Sequence, residues 1–205
     1  MNNGLRIKGG RFLTRGFTLT ELLVVVGIMT IMNLLIFANY PEFSQRLALK
    51  RTSEDVALII RQAQAYSLGI KRPLSGEDNY SGFGVRFDKN NNKSLILFAD
   101  TNTNTNTNKT YDEGELFQKY IINTGDVVSG LRGCTTAKCD TDSEPEFDTL
   151  DIFYPRASPM ATISVDGVKS DSSYAKITIM PPKKKNKTRI IEIWTSGQIS
   201  VKEGI

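Results

Sequence analysis

The sequence contains no histidine, two cysteines and one tryptophan among its 205 residues. Without histidine the chain has neither a Ser-His-Asp triad nor a Cys-His pair, so these two kinds of nucleophilic catalysis are excluded. The common kinds of zinc site are disfavoured as well, because Cys134 and Cys139 have neither a histidine nor a second cysteine pair to join.

Acidic residues are missing from the first 16 positions, which carry four basic residues: Arg6, Lys8, Arg11 and Arg15. The whole chain has 26 basic and 22 acidic residues, which gives a formal net charge of +4. The charge after Gly16 is therefore balanced. The basic character of the protein belongs to its N-terminal segment and not to a binding surface.

An apolar run of 22 residues follows, from Phe17 to Ala38. As a helix it spans about 33 Å, enough to cross a hydrocarbon core of about 30 Å. Basic residues in front of such a run keep that end in the cytoplasm, so we expect the chain after residue 40 to be extracytoplasmic. An ordinary secretory signal, with cleavage after "IFA" and before Asn39, is an alternative interpretation.

One carboxylate, Glu21, interrupts the apolar run. A charged side chain at the centre of a bilayer costs about 2.5–3.5 kcal/mol on insertion scales, so it requires a partner or a position near the membrane edge. Two interpretations are open from the residues alone. The side chain extends into the headgroup layer, or it has a partner or a function within the membrane.

The pattern after the run predicts one long helix over residues 17–69. Pro41 in a helical context predicts a bend at residues 37–41, and Gly69 marks the end of the helix. Apolar residues recur at helical spacing in the second half of this helix: Val56, Ile59, Ile60, Ala63, Tyr66 and Ile70. The second half is therefore predicted to be amphipathic.

Short segments of β-type composition follow the helix, separated by turn residues. These segments are "GFGVRFD", "SLILFAD", "LFQKYII", "TLDIFYP", "ATISV", "YAKITIM", "RIIEIWT" and "QISV". We expect an α+β fold in which a mostly antiparallel sheet packs against the amphipathic half of a long, kinked N-terminal helix. The predicted organisation is a leader at 1–16, a transmembrane and assembly helix at 17–40, its amphipathic half at 41–72 and a β-rich head at 73–205.

The segment "RGFTLTELLVVVGI" resembles the N-terminus of type IV pilins and type II secretion pseudopilins. The resemblance implies cleavage by prepilin peptidase after Gly16, N-methylation of Phe17 as the new N-terminus, and an assembly role for Glu21. It implies a non-enzymatic subunit, with no cofactor or small-molecule substrate, that passes from the bacterial inner membrane through an assembly platform into a helical fibre. In that fibre the Glu21 carboxylate pairs with the α-ammonium group of Phe17 in a neighbouring subunit.

A loop and the C-terminal segment, "ILFADTNTNTNTNKTYDEGE" and "IEIWTSGQISV", resemble minor pilins and pseudopilins grouped with the H-type subunit of type II secretion. The Thr-Asn repeat is longer here than in that pattern. An EF-hand is excluded, because Thr105 stands at the position of the central glycine and Tyr111 at the twelfth position. Calcium at oxygen ligands and a solvated acidic loop are both open, and the candidate ligands are Asp100, Asn102, Asn104, Asp112 and Glu115.

Two further features have alternative interpretations. Cys134 and Cys139, in "CTTAKC", can close a small disulfide loop in an oxidising compartment, and two free thiols are the alternative. A basic segment near the C-terminus either contacts DNA phosphates or is a solvated hairpin tip, since no obvious aromatic platform adjoins it. Its candidate residues are Lys183, Lys184, Lys185, Lys187 and Arg189.

Three classes of function follow from these features. The first is a structural subunit of a type IV pilus or type II secretion fibre, and the second is a minor pilin whose head binds DNA or a surface ligand. The third is a non-pilin, membrane-anchored extracytoplasmic protein. An enzyme is the least favoured form of the third class, because the acids Asp148, Asp151 and Glu192 lie in strand-like segments without a paired nucleophile.

Overall fold

The computed structural model describes residues 16–70, 80–101, 108–135, 146–182 and 187–204. The chain divides into two compact units, Met1–Phe43 and Ser44–Ile205. The first unit contains the start of a long helix, and the second contains the rest of that helix with two antiparallel sheets. Leader residues 1–15 lie outside the described residues.

The long helix, α1, spans Leu19–Ala65 and continues into one π-helical turn, Tyr66–Ile70. Pro41 lies inside α1, and Gly69 has a left-handed conformation with φ of 96°. Because glycine adopts that conformation without steric cost, Gly69 ends the helical segment where the sequence predicts its end. The bend at residues 37–41 stays a prediction.

The described part of the head contains ten strands in two antiparallel sheets. Their bounds are β1 Tyr80–Asp88, β2 Ser94–Thr101, β3 Leu116–Ile121, β4 Val127–Cys134, β5 Thr149–Pro155, β6 Thr162–Val165, β7 Val168–Lys169, β8 Tyr174–Met180, β9 Arg189–Trp194 and β10 Ile199–Glu203. The larger sheet has the order β3-β2-β1-β5-β6-β7, and the smaller has the order β10-β9-β8-β4. The predicted class, α+β with a long N-terminal helix on antiparallel sheet, is confirmed.

One face of the second half of α1 packs into a core that it shares with both sheets. The helix residues in this core recur three and four positions apart and are at most 8% exposed: Leu49, Val56, Ala57, Ile59, Ile60 and Ala63. The strands contribute alternate residues, among them Phe83 and Val85 of β1 and Ile177 of β8. These two periodicities place the apolar side chains on facing surfaces, and their burial favours folding. The predicted amphipathic face is confirmed at Val56 to Tyr66.

Hydroxyl groups fasten the helix to the head near both ends of its packed part. In the π-helical turn, the Ser67 hydroxyl donates to the Tyr154 carbonyl oxygen at 2.7 Å and accepts from the Phe83 amide at 3.0 Å. Nearer the start, the buried Thr52 hydroxyl donates to Asp126 Oδ2 at 2.6 Å. Because buried polar groups require partners, these bonds fix the position of the helix along the sheets.

β4 and β7 have no counterpart among the strands predicted from composition. β4 has the sequence "VVSGLRGC", in which serine and glycine interrupt the β-branched residues that favour strands. It forms because β8 pairs with it along its length, from Val127 opposite Met180 to Cys134 opposite Tyr174. For other strands, composition is sufficient to predict the strand, since the segments "TLDIFYP" and "YAKITIM" coincide with β5 and β8.

Glycine in β1 leaves room for aromatic rings on the sheet face that points away from α1. Phe98 and Phe153 are fully buried there, with stacked rings whose centroids are 6.4 Å apart. A Cβ atom on Gly84 would lie 2.7 Å from Phe98 Cε1 and 3.0 Å from the Ile152 carbonyl oxygen. Both distances are shorter than van der Waals contact, so the ring of Phe98 requires glycine at position 84.

Gly84→Ala is expected to lower the melting temperature by several degrees, since overpacking of this kind costs about 1–3 kcal/mol. Phe98→Leu in the same chain should reduce that cost, because the smaller side chain leaves room for the new methyl group. Thermal unfolding of the four proteins of this double-mutant cycle measures the coupling. If the stability changes of the two single variants add up to that of the double variant, Phe98 does not cause the requirement for glycine at position 84.

Candidate functional site: the apolar helix and its N-terminal cap

The first half of α1 exposes its apolar side chains. From Leu19 to Phe37 the large apolar residues are 46–81% exposed. The helix is long and apolar enough to cross a membrane, and none of its most apolar stretch is buried within the protein. Because an apolar surface of this extent is unfavourable in water, it requires cover from lipid or from other protein.

The predicted cleavage position lies immediately before this helix. Gly16, Phe17 and Thr18 precede the first helical residue, Leu19, and Phe17 is 86% exposed. A peptide bond in an exposed, non-helical segment is accessible to a peptidase. The structure therefore places Gly16 and Phe17 where processing can reach them, and the processing itself stays a prediction.

Thr18 and Glu21 form a capping box at the start of α1. Glu21 Oε2 accepts hydrogen bonds from the Thr18 amide at 2.9 Å and from the Thr18 hydroxyl at 2.8 Å. The Glu21 amide donates to the Thr18 hydroxyl oxygen at 3.3 Å. The box supplies partners to two of the amides that a helix start leaves unsatisfied, and it places a carboxylate at the positive end of the helix dipole. Glu21 thus has a structural role in the single chain.

The sequence interpretation missed Thr18. Its signal was present, because threonine three residues before glutamate, followed by apolar residues, is the sequence pattern of a capping box. If Glu21 is interpreted only as a charge in lipid, its hydrogen bonds with Thr18 are left out. The intersubunit pairing with Phe17 is a separate role, and it stays a prediction.

The described part of the acidic loop folds against the end of β2. Gly114, with φ of 103°, lies in the turn that brings the Glu115 amide within 3.2 Å of the Asp112 carbonyl oxygen. The Glu115 carboxylate accepts hydrogen bonds from the Thr101 amide at 3.2 Å and from the Asp112 amide at 3.0 Å. Glu115 therefore closes the loop onto the sheet.

Arg86 holds the same loop from β1. Its Nη1 donates to the Tyr111 carbonyl oxygen at 3.1 Å and lies 3.5 Å from Asp151 Oδ2. Burial raises the pKa of Asp151 to about 7, although the Arg86 charge and the Tyr111 amide act to lower it. Another acid considered above, Glu192, lies 2.7 Å from the Lys202 ammonium group. Asp151 and Glu192 are thus engaged in contacts within the head.

Three predicted calcium ligands are described: Asp100, Asp112 and Glu115. Asp100 Oδ2 accepts a hydrogen bond from the Ser81 hydroxyl at 2.6 Å, and Glu115 accepts from backbone amides. Within the described ranges, no group of three or more acidic, cysteine or histidine residues is arranged to hold a metal ion. Asn102 and Asn104 lie outside those ranges, so calcium binding stays a prediction without support from the described residues.

The remaining predicted sites are described only in part. Cys134 is buried at the end of β4 and is disulfide-bonded, whereas Cys139 lies outside the described residues. In the basic segment, Arg189 Nη2 lies 2.7 Å from Glu203 Oε1. Lys187 is also described, and Lys183, Lys184 and Lys185 are outside the described residues. The Cys134–Cys139 pair and the contacts with DNA stay predictions.

No protein-family model matches the chain, and no match was found among curated proteins. Among solved structures, the chain is similar to the type IV minor pilin FimU of Pseudomonas aeruginosa strain PAO1, with 12% sequence identity and a TM-score of 0.41. The similarity covers 78% of this chain and 92% of that chain. A likeness at this level carries no inference about function, which rests on the residues described above.

The acidic loop predicts that the stability of the head depends on pH. Burial, reinforced by the charges of Asp100 and Asp112, raises the pKa of Glu115 from 4.5 to about 7. Between these two values the folded state binds more protons than the unfolded state, so the free energy of unfolding falls as pH rises. Asp151 acts in the same direction. We expect a higher melting temperature at about pH 5 than at about pH 8.

Glu115→Gln should reduce this pH dependence, because an amide has no proton to lose in that window. Glu113→Gln, an exposed neighbour in the same turn, is the matched control and should leave the dependence in place. Melting temperatures measured across the pH range compare the three proteins. If the melting temperature of Glu115→Gln depends on pH as strongly as that of the unchanged protein, another group causes the dependence.

Proposed function

We propose that the chain is a subunit of a pilin-like fibre, cut between Gly16 and Phe17 and assembled through the helix at residues 17–40. One arrangement in the first unit carries the proposal. It combines an exposed Gly16–Phe17 segment, the Glu21 carboxylate held at the helix start by Thr18, and an exposed apolar helix after it. The activity is assembly and requires no catalytic group.

The charge of Glu21 favours assembly over simple anchoring. A membrane anchor requires only apolar surface, and glutamine completes a capping box as glutamate does, without placing a charge near lipid. The capping role explains a polar side chain at position 21, and the helix dipole favours a carboxylate there by about 0.3–1 kcal/mol, which is less than the cost of about 2.5–3.5 kcal/mol for a charge at the bilayer centre. A charged partner in an assembled fibre supplies the larger stabilisation that a carboxylate requires.

Cleavage before Phe17 supplies that partner as an α-ammonium group. In a bundle of apolar helices, a carboxylate and an ammonium group attract each other strongly, and a lone buried charge is heavily penalised. Thr18 of the same chain orients the Glu21 carboxylate in advance through two hydrogen bonds to Oε2. The ammonium group of a neighbouring subunit would then meet a carboxylate that is already in place.

The proposed location is the bacterial inner membrane, followed by the fibre. The basic residues before Gly16 favour a cytoplasmic leader and an extracytoplasmic head. The proposed partners are prepilin peptidase and an assembly platform. Within the pilin-like proteins, the acidic loop supports the H-type group of minor pilins and pseudopilins. Its Asp112–Glu115 turn is closed by two hydrogen bonds and joined to β2 by the bond from the Thr101 amide to Glu115.

Intact mass and N-terminal analysis of protein from native membranes test the processing step. We expect a chain that begins at an N-methylated Phe17, because the Gly16–Phe17 segment is exposed and lies before the helix. A start at Asn39 would indicate ordinary secretion, and an uncut start at Met1 would indicate a plain membrane anchor. Either result contradicts the proposal.

Glu21→Gln separates the charge from the cap. Glutamine retains the capping box but cannot pair as an anion with an ammonium group, so membrane insertion should persist. Incorporation into fibres should fall by at least about tenfold, because breaking a buried ion pair costs roughly 3–5 kcal/mol. The ratio of subunit in sheared fibres to subunit in membranes, measured by immunoblot, gives the effect.

Thr18→Ala is the matched control for that variant. It removes the hydroxyl of the capping box, at a cost of about 1 kcal/mol, and leaves the charge in place. Its incorporation should fall less than that of Glu21→Gln. Normal incorporation of Glu21→Gln would refute the ion pair, and equal losses in the two variants would assign the effect to the cap.

A further inference from the structure

A cavity of about 390 Å³ lies on the face of the larger sheet that points away from α1. Its floor includes Ser94 and Ile96 of β2, which alternate along the strand with the core residues Leu95 and Leu97. Loop residues 111–113 form one wall, and the turn between β1 and β2 forms another. The cavity is therefore enclosed by a sheet and by two chain segments that fold over it.

Hydrogen bonds within the head fix these walls. In the turn, the Asn91 amide donates to the Asp88 carbonyl oxygen at 3.1 Å, and the Ser94 amide donates to the Asn91 carbonyl oxygen at 3.0 Å. The loop wall is held from β1, because Arg86 donates to the Tyr111 carbonyl oxygen at 3.1 Å. The lining is thus formed before any ligand arrives, which reduces the cost of binding one.

Carboxylates outnumber cations in the lining. Asp88, Asp112 and Glu113 stand against Arg86, whose guanidinium group already lies 3.5 Å from Asp151 Oδ2. Asp88 and Asp112 each accept one hydrogen bond from a neighbouring amide group, at 2.8 and 3.0 Å, and each bond engages one of the two carboxylate oxygens. The excess of negative charge in a concave site favours a cation.

One buried hydroxyl group in the floor indicates what kind of ligand fits. Ser94 is only 6% exposed, and its Oγ has no hydrogen-bond partner among the described residues. A buried polar group without a partner is costly, and most such groups in folded proteins are hydrogen-bonded. Because Ser94 lines the cavity, a ligand there can supply the missing bond. The ligand is therefore expected to carry hydrogen-bond donors as well as positive charge.

An organic cation meets these conditions better than a metal ion. Within the described ranges, no group of three or more acidic, cysteine or histidine residues is arranged to hold a metal. The volume exceeds that of a single ion, and Ile96 adds apolar surface to the lining. A primary ammonium group on an alkyl chain has three N–H donors, and its methylene groups pack against apolar side chains.

We propose that this cavity binds a primary alkylammonium group, either the side chain of a lysine from a neighbouring molecule or a free alkylamine. The ammonium group donates to Ser94 Oγ and to the carboxylates of Asp88 and Asp112. The alkyl chain lies against Ile96. Binding at the cavity does not depend on the proposed function, since all of its lining belongs to the head.

The sequence contains one source of such groups in every copy of the chain. Three consecutive lysines, Lys183, Lys184 and Lys185, stand between β8 and β9. A contact between this segment of one copy and the cavity of the next joins two unlike surfaces, and such contacts continue into open filaments when they do not close into a ring. This source rests on the proposed function, because it requires subunits to assemble.

NMR titration of the full-length chain in zwitterionic detergent micelles tests the site, with butylammonium chloride as the probe. We expect saturable shifts of the amide signals of residues 86–96 and 111–113. Tetramethylammonium chloride at equal ionic strength is the control, and it should bind at least about tenfold more weakly because it carries the charge without N–H donors. Equal affinity for the two cations, or shifts that do not saturate, would overturn the proposal.

Ser94→Ala should weaken binding of butylammonium about tenfold, because it removes a hydrogen bond to a charged group. It should not lower the melting temperature, since the hydroxyl has no partner among the described residues. Ser164→Ala in β6 is the matched control. Ser164 is also fully buried with an unpartnered Oγ, but it lies outside the cavity lining, so its variant should retain the affinity. Normal affinity in Ser94→Ala, or an equal loss in Ser164→Ala, contradicts the proposed contact.

Two peptides separate the sources of the ammonium group. One has the sequence of residues 181–189, "PPKKKNKTR", and the other has glutamine in place of its four lysines. If only the lysine peptide shifts the cavity signals and competes with butylammonium, the source is a neighbouring subunit. If butylammonium binds and neither peptide does, the ligand is a free alkylamine. Failure of all three probes refutes the site, whereas the proposed function is tested separately by the N-terminus of the mature chain.

Discussion

The large apolar side chains between Leu19 and Phe37 are 46–81% exposed within the described part of the chain, and their need for cover is the constraint on which the proposed function depends. A surface of this extent cannot remain in water, so it requires cover from another component. Lipid tails accept any apolar surface, whereas neighbouring helices accept one whose shape fits. In the proposed function, the same side chains contact lipid while the subunit is in the membrane and contact other helices after it has entered the fibre.

The two halves of α1 differ because their surroundings differ. The first half is apolar around its whole circumference, which suits a helix surrounded on all sides by lipid or protein. The second half is apolar on one face, because the sheets cover that face and water covers the other. Ser67 and Thr52 attach the second half to the head through buried hydrogen bonds. One helix thus contains an exposed apolar segment and a segment that packs on the sheets.

The features that can be predicted from the sequence are those that depend on residues close together in the chain. Strands β5 and β8 follow from local composition, and the capping box of Thr18 and Glu21 could have been predicted from spacing alone. β4 could not be predicted in the same way, because it gains its stability from pairing with β8. Its own residues include few that favour a strand.

The contacts that shape the head depend on residues far apart in the sequence. The requirement for glycine at position 84 comes from the ring of Phe98 on the next strand. The contact of Arg86 with Asp151 and the Tyr111 carbonyl oxygen exists only after β1, β5 and the loop have come together.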